Sequence, residues 1–282
     1  MGLESTLRAL VAFEHYKTPS KVTRALLDPN SETLRSVWKS MDVATRDKLV
    51  RQSEDLANRD IYTICADDAR FPKSLVVKGR PIVPALFCRG KLSLLKTAGA
   101  GMCGSRNVSS LGIKAARACG EEVSDRGLTV VSGYAKGVDT ETHLAALERG
   151  GRTIIVLAEG INHFRVKRDF VNAIDFDRVL VISQFHPQQP WAAHAAMARN
   201  HLIFGLGLAL VVIEAGERGG TLAAGRDALK RGRPVFVLNF GGDTPPGNRI
   251  LLDDGGHSVT SRKELGVALD ELKEQPEQGL LV

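Results

Sequence analysis

The chain has 282 residues, of which 43% are hydrophobic, 25% charged and only 5% aromatic, a composition typical of a globular α/β protein. No apolar run approaches the roughly 20 residues that a membrane span requires. The N-terminus carries an early acid, Glu4, and lacks a small-residue cleavage site, unlike a secretory signal. We therefore expect a cytoplasmic protein with no membrane partner. The net charge of +6 is compatible with an anionic partner but is too small to identify one.

The cysteines predict neither a metal site nor a disulfide framework. They are widely spaced, form no Cys-x-x-Cys pair and lie in apolar segments, at Cys65, Cys88, Cys103 and Cys119. We expect reduced, buried thiols, no bound metal and no cofactor.

Residues 1–58 are predicted to form a small helical region. Apolar residues recur there at spacings of three and four in the segments 3–17, 19–28 and 31–40. Helices this short bury a face only against one another or against the rest of the chain.

From about residue 60 the pattern changes to short apolar runs that end in glycine or polar residues. These runs predict strands at 61–65, 85–90, 98–104, 128–133, 153–160, 178–185, 208–216 and 234–242. Predicted helices separate most of them, at about 109–126, 139–149, 167–175, 191–204, 219–231, 246–253 and 261–273. Apolar strands that alternate with helices indicate a mostly parallel sheet covered on both faces. We predict an α/β, Rossmann-like doubly wound core over residues 59–275 and a frayed tail at 276–282.

Glycine-rich turns follow three of the predicted strands. In this class of sheet, ligands bind beyond the carboxyl ends of the strands, near helix N-termini that favour phosphate. Arg106 and Lys136 add full positive charges, and glycine lets the backbone approach a ligand closely. We expect the three turns to form one anion-binding surface, called the lip below. Its residues are Gly104, Ser105 and Arg106; Ser132, Gly133, Lys136 and Gly137; and Glu214, Gly219, Gly220 and Thr221.

The turns carry no standard nucleotide fingerprint. No Gly-x-Gly-x-x-Gly motif follows the first strand, and no triphosphate-binding Gly-x-x-x-x-Gly-Lys-[Ser/Thr] motif occurs anywhere. Every α/β sheet needs glycine at such turns, so a purely structural role is the alternative for each turn.

Five blocks of sequence are distinctive when they occur together in this order and spacing, although no single block would be. They are "FPKSLVVKGRPIVPALFCRGKLSLL", "GSRNVSSLG", "GLTVVSGYAKGVDTETHLAALERGGRTIIVLAEGI", "ARNHLIFGLGLALVVIEAGERGGTLAAGRDALKRGRPVFVLN" and "PPGNRILLDDGG". With them, residues 60–257 resemble the core of the DNA-processing protein A (DprA/Smf) family. The resemblance implies an extended Rossmann fold, single-stranded DNA binding, homodimerisation and transfer of the strand to the RecA recombinase in natural transformation, without catalytic activity. We expect a short or divergent member that lacks the C-terminal winged helix of many relatives.

The resemblance also assigns roles to residues. Gly104, Ser105 and Arg106 match the family's Gly-Ser-Arg motif, whose arginine contacts DNA phosphate. A second motif, Ser-Gly-x-Ala-Arg-Gly-x-Asp, matches Ser132, Gly133, Ala135, Lys136, Gly137 and Asp139. Lysine replaces the arginine of this motif, which keeps the charge and loses the fork geometry. Arg199 and Asn200 match the start of an Arg-Asn-Arg motif that ends here in His201.

The segment after the strand at 153–160 departs from the family, which usually has Tyr-Pro and a basic residue there. This chain has "INHFRVKRDF" at 161–170. Phosphate contacts are expected from Arg165, Lys167 and Arg168, and base stacking from Phe164 or Phe170. The alternative is a charged patch that is only solvated.

Two other functions compete with DNA binding. A phosphoribohydrolase-like enzyme would have a similar Gly-Gly-Thr turn, but Ala224 stands where its acid-base glutamate belongs. A sensor of free nucleotides would use the same lip and act through a partner protein.

Asp139 and His143, four residues apart on one face of a predicted helix, invite a catalytic or metal-binding interpretation. We instead expect Asp139 to cap a helix and His143 to lie on the surface. Glu214 is expected to receive N–H groups at its strand end or to pair with an arginine.

Overall fold

Four helices precede the first strand in the computed structural model, which describes residues 2–28 and 32–274. They are α1 (Gly2–Tyr16), α2 (Pro19–Leu26), α3 (Glu32–Ser40) and α4 (Val43–Asn58). The sequence patterns predicted the first three and missed α4, whose start is capped by the Asp42 carboxylate, 2.8 Å from the Thr45 amide nitrogen. The tail predicted to fray lies outside the described residues.

Nine strands form one sheet in the described chain, and two more form a small hairpin. The strands are β1 (Ile61–Cys65), β2 (Val76–Val77), β3 (Arg80–Pro81), β4 (Ala85–Gly90), β5 (Gly99–Cys103), β6 (Thr129–Ser132), β7 (Arg152–Val156), β8 (Val179–Ser183), β9 (Leu210–Val212), β10 (Val235–Leu238) and β11 (His257–Val259). The order in the sheet is β1-β4-β8-β7-β6-β5-β9-β10-β11. The sheet is parallel from β8 to β11, whereas β1 and β4 are antiparallel additions.

The strand order reverses between β5 and β9. From β5 the chain proceeds outward through β6 and β7 to β8, and it returns to β9 on the other side of β5 before continuing to β10 and β11. Such a reversal leaves a crevice at the carboxyl ends of the two central strands, which is where open α/β sheets bind their ligands. The predicted α/β Rossmann-like fold is confirmed, and the reversal of strand order lies at the predicted lip.

Helices cover both faces of the sheet. They are α5 (Ser110–Asp125), α6 (Val138–Glu148), α7 (Ala193–Ala198), α8 (Asn200–Leu206), α9 (Gly220–Lys230), α10 (Pro246–Asp253) and α11 (Arg262–Glu274). Successive residues of a strand enter opposite cores: Ile154 belongs to the cluster that includes residues of α8, α9 and α10, and Ile155 to the cluster of the N-terminal helices. Burial on both faces explains why the parallel strands read as continuous apolar runs.

The N-terminal helices extend the core beside β1 and β4. Leu10 and Leu26 are fully buried in the same cluster as Phe87 of β4. Thr6 donates a hydrogen bond to the Thr63 hydroxyl across 2.8 Å. The boundary predicted near residue 58 falls between α4 and β1, and the division into two domains stays a prediction.

Three other details differ from the sequence-based expectation. The helix predicted at 167–175 is only a 3-10 turn at Arg168–Phe170, because Phe170 is drawn into the core against Tyr134. The helix predicted at 191–204 is two helices, α7 and α8. The short strand β11 was missed, since two of its three residues are exposed and polar. None of the described helices is long and apolar enough to cross a membrane.

We predict that Phe170→Ala destabilises the protein by about 3–5 kcal/mol, because it empties a fully buried ring site. Urea unfolding followed by circular dichroism measures the change. Val171→Ala is the matched control, since this neighbouring side chain is 63% exposed and its truncation should change stability by less than about 0.5 kcal/mol. Equal stability of the two variants would contradict the placement of Phe170.

Candidate nucleic-acid interface

The three glycine-rich turns meet at one edge of the sheet. They follow β6, β5 and β9, which are neighbours in that order. The Ser105 amide donates to the Glu214 carbonyl across 2.8 Å, and the Val138 amide donates to the Ser105 carbonyl across 3.2 Å. Direct backbone contacts therefore join the turns, and the predicted juxtaposition is confirmed.

Two glycines are required for this close packing. Gly137 has φ +81°, and a Cβ there would lie 2.4 Å from the Ser105 carbonyl oxygen. A Cβ on Gly104 would lie 2.4 Å from a methyl carbon of Val138. Any larger residue at either position would push the first two turns apart.

Arg106 and Lys136 are exposed cations at the centre of the lip. Within the described chain, neither has a carboxylate oxygen within 4.0 Å. Unpaired cations keep their full field for an incoming anion, whereas about half of the other arginines are paired with acids. The positions predicted for phosphate contacts are therefore free to make them.

Helix N-termini differ in their availability to an anion. Glu214 occupies the start of α5: its carboxylate accepts from the Ser109 amide at 3.1 Å and from the Ser109 hydroxyl at 2.6 Å. This confirms the expectation that Glu214 receives N–H groups. The negative charge of this carboxylate would repel an anion at the start of α5. The dipole of α5 therefore does not help Arg106 to bind a phosphate.

The start of α9 is open instead. Gly219 precedes the helix with φ +112°, nothing lies within 4 Å of its Cβ direction, and its first turn contains no acidic residue. Gly220 is also exposed and Thr221 is half-buried. Among the helices of the lip, α9 therefore presents the free N–H groups and positive dipole end that suit a phosphate.

Arg199 does not project from the lip as the family motif implied. It is only 8% exposed and pairs with Asp139, itself 6% exposed, at 3.4 Å. A Cβ on Gly133 would lie 1.9 Å from an Arg199 nitrogen, so the guanidinium packs directly on that turn. Arg199 therefore supports the β6 turn from below, and Asn200 beside it is half-buried at the start of α8.

Asp139 is the centre of a buried polar network. It accepts from the Ser132 hydroxyl at 3.0 Å and from the Ala135 amide at 3.1 Å, in addition to Arg199. The expected capping role is wrong in detail, because Gly137 occupies the cap position and Asp139 lies inside α6. Its carboxylate fixes the turn between β6 and α6.

His143 is fully buried, so its expected surface position is wrong. Its Nδ1 lies 2.5 Å from the Thr153 hydroxyl and its Nε2 lies 2.7 Å from the Gly133 carbonyl oxygen. Burial lowers the pKa of His143 from 6.5 to about 4. The ring is neutral at pH 7, and Nε2 donates its proton to Gly133, which fixes the turn further.

The basic segment 164–168 lies beside the β6 turn. The Lys167 amide donates to the Tyr134 hydroxyl across 2.9 Å, and the Tyr134 hydroxyl donates to the Arg165 carbonyl across 3.3 Å. The Lys167 ammonium contacts the Tyr134 carbonyl oxygen, and burial lowers its pKa. Arg165 and Arg168 are exposed on the same segment, and one Arg165 guanidinium nitrogen donates to the Asn162 and Phe164 carbonyls at 2.8 and 2.7 Å.

The stacking role expected of Phe164 or Phe170 does not fit the structure. Phe164 is 4% exposed and Phe170 is fully buried. Both rings pack on Tyr134, with centroids 5.5 and 5.2 Å from it. Neither ring has a free face for a base.

Trp191 is an aromatic neighbour of the lip that the sequence patterns missed. The Arg106 guanidinium carbon lies 5.7 Å from the centroid of its ring. The only signal in the sequence was a tryptophan in a polar stretch, "QQPWAAH", that periodicity assigned to a helix.

Metal binding has no support in the described residues, which contain no group of three or more His, Cys, Asp or Glu side chains that could hold an ion. The cysteines are buried and unpaired, as expected. Burial raises the pKa values of Cys65, Cys103 and Cys119 to about 12 and that of Cys88 further. These thiols therefore stay protonated and are poor ligands and nucleophiles.

We predict that His143 makes folding stability depend on pH between about 6.5 and 4. In this window the unfolded chain protonates His143 and the folded chain does not, so stability falls as pH decreases, by up to about 3 kcal/mol from this residue. Urea unfolding of the parent and of His143→Gln at pH 7.0, 5.5 and 4.5 tests this. The loss should be shallower in the variant, and identical losses would contradict the prediction.

We predict that Asp139→Ala destabilises the protein by about 3–5 kcal/mol, because it leaves the buried Arg199 charge unpaired. Thermal and urea unfolding measure the loss. Asp169→Ala is the control, since Asp169 is exposed and should tolerate truncation. A loss below about 1 kcal/mol for Asp139→Ala would show that the pair is not held as described.

Comparisons with known proteins agree with this geometry. The DNA processing protein DprA of Streptococcus pneumoniae is 35% identical over 185 residues, which cover 64% of this chain and 64% of that protein. The chain thus spans less than two thirds of that relative's length. The X-ray structure of DprA from the same species superimposes with a TM-score of 0.69 at 26% identity, covering 95% of this chain and 93% of that one.

A structure of DNA processing protein A from Helicobacter pylori, described for its single-stranded DNA binding mode, shares the fold with a TM-score of 0.63 at 22% identity. It covers 75% of this chain and 96% of that chain. The profile of the family "DNA recombination-mediator protein A" matches residues 62–270, well over half of the sequence. With its central crevice, its Gly-Ser-Arg turn and this match, the chain belongs to the DNA recombination-mediator protein A family.

Proposed function

We propose that the lip binds the phosphate backbone of single-stranded DNA. The observation that carries the proposal is the meeting of Arg106, Lys136 and the open N-terminus of α9 at the crevice between β5 and β9. Two unpaired cations and a set of free N–H groups are recognition elements for phosphate and not for a neutral ligand.

The lip and the basic segment beside it carry more exposed cations than one nucleotide needs. Tyr134 holds the basic segment against the β6 turn, which adds the exposed Arg165 and Arg168 to Arg106 and Lys136. A strand with several phosphates can engage all four side chains, whereas a mononucleotide can engage one or two. This favours a nucleic acid over a free signalling nucleotide.

The relatives support the same assignment. The Helicobacter pylori protein binds single-stranded DNA, and the family is described as a mediator of recombination. We extend the proposal to a non-catalytic, cytoplasmic homodimer that passes the bound strand to a RecA-type recombinase. A phosphoribohydrolase activity is disfavoured, because Ala224 is 3% exposed and provides no carboxylate at the turn.

We expect Arg106→Ala to bind labelled oligo-dT of about 20 nucleotides roughly tenfold more weakly than the parent, because one phosphate contact is lost. Fluorescence anisotropy across a salt titration should show the slope of log affinity against log salt falling by about 0.7. Lys136→Ala should behave similarly.

Arg24→Ala is the control, since Arg24 is an exposed arginine on α2 and distant in sequence from the lip. If Arg106→Ala binds as tightly as Arg24→Ala, the lip is not the DNA site. Direct binding of a labelled mononucleotide at micromolar concentration, without oligonucleotide binding, would instead support the nucleotide sensor.

A further inference from the structure

Trp191 exposes a large aromatic ring that the fold does not need for its core. The side chain is 53% exposed, and tryptophan is strongly buried on average in folded proteins. Exposed aromatic surface beside a charged crevice is a common mark of a binding site.

The backbone that carries this ring is held in place. The Gly160 amide donates to the Gln189 carbonyl across 2.8 Å, and the Asn162 amide donates to the Pro187 carbonyl across 3.0 Å. A Cβ on Gly160 would lie 2.2 Å from the His186 carbonyl oxygen, so the two loops pack without space between them. The ring therefore stands on an anchored loop at the edge of the crevice.

Trp191 lies between phosphate-binding elements. On one side the Arg106 guanidinium leans over the ring, 5.7 Å from its centroid. Further along the chain, α7 contains Met197, which is 41% exposed. Its sulfur lies 3.6 Å from the position that a Cβ on Gly220 would occupy. Two exposed apolar side chains thus lie at these elements, Trp191 beside Arg106 and Met197 beside the open end of α9.

The other aromatic rings described near the lip are occupied. Phe164 and Phe170 are buried. Tyr134 contacts both of them, its hydroxyl is hydrogen-bonded, and the Lys167 ammonium lies 4.2 Å from its centroid. Among these described rings, Trp191 has the exposed surface that a base needs.

We propose that Trp191 is a stacking platform for an unpaired DNA base at the lip, an inference that rests on the proposed function. Phosphates on either side of the base contact Arg106 and the N-terminus of α9. A base inside a duplex is already stacked on its neighbours, so this platform favours single strands over duplexes.

The intrinsic fluorescence of the protein gives a direct readout, because the chain has only two tryptophans. The other is Trp38 of α3, half-buried among the N-terminal helices. In Trp38→Phe, the remaining emission comes from Trp191. Oligo-dT should quench it in step with the rise in anisotropy of a labelled strand.

Two substitutions separate stacking from mere positioning. Trp191→Ala should weaken binding of oligo-dT by about tenfold, and Trp191→Phe by less than about threefold. With an abasic oligonucleotide of equal length, all three proteins should bind alike, and the salt slope of Trp191→Ala should equal that of the parent. Tyr62→Ala, which removes a 43% exposed ring from the edge strand β1, is the control and should bind like the parent.

Other results would overturn the inference in distinguishable ways. If labelled DNA binds but Trp191 is not quenched and Trp191→Ala binds like the parent, the platform is disproved and the proposed function stands. If Trp191→Ala loses affinity equally for the abasic strand and its salt slope falls, Trp191 only positions Arg106. If the parent binds no single strand at low salt, the proposed function fails, and this inference fails with it.

Discussion

The buried ion pair between Asp139 and Arg199 is the interaction on which the lip depends. It joins the first turn of α6 to the start of α8, beneath the turn that follows β6. Two buried charges are costly to remove from water unless they are well paired and hydrogen-bonded. Here Ser132 and the Ala135 amide satisfy the carboxylate, while Gly133 leaves space for the guanidinium. The family resemblance assigns these motif residues to DNA contact. In the structure, some of them instead hold the turn after β6 in place.

The positive electrostatic field at the crevice depends on which nearby carboxylates are already hydrogen-bonded or ion-paired. Glu214 is committed to Ser109 at the start of α5, and Asp139 is committed to Arg199. Neither of these two carboxylates is therefore free to pair with the exposed cations. A modest net charge of +6 can coexist with a locally positive surface, because acids and bases elsewhere pair with one another.

The sequence was sufficient for the fold and for the backbone of the site, for physical reasons. Parallel strands buried on both faces must be apolar, and the turns that follow them must begin with small residues, so strand ends such as Gly104 and Gly133 were predicted correctly. Side-chain burial was harder to predict. Phe164, His143 and Arg199 have polar or basic neighbours in sequence. Only tertiary packing shows that they point inward, Phe164 against Tyr134 and the other two from α6 and the start of α8.

The errors in the predicted secondary structure have the same cause, which is side-chain burial that local sequence does not show. The segment 167–175 has helical spacing, but Phe170 packs into the core and Lys167 is held by Tyr134, which together stop the helix after one turn. Trp191 was missed because periodicity placed it inside a helix, whereas the chain approaches Gly160 in an irregular loop before α7 begins at Ala193. Tertiary contacts of single residues decide both cases.

The burial of the four thiols has a practical consequence for spectroscopy. Cys103 ends β5 directly before the Gly-Ser-Arg turn, yet it is only 7% exposed, and the other cysteines are at least as buried. Maleimide and iodoacetamide reagents attack thiolates, which these protonated groups scarcely form at neutral pH. A cysteine introduced at an exposed site would therefore take a fluorophore selectively, with the native cysteines left in place. Distances between labelled protein and labelled strand would then be measurable on the natural core.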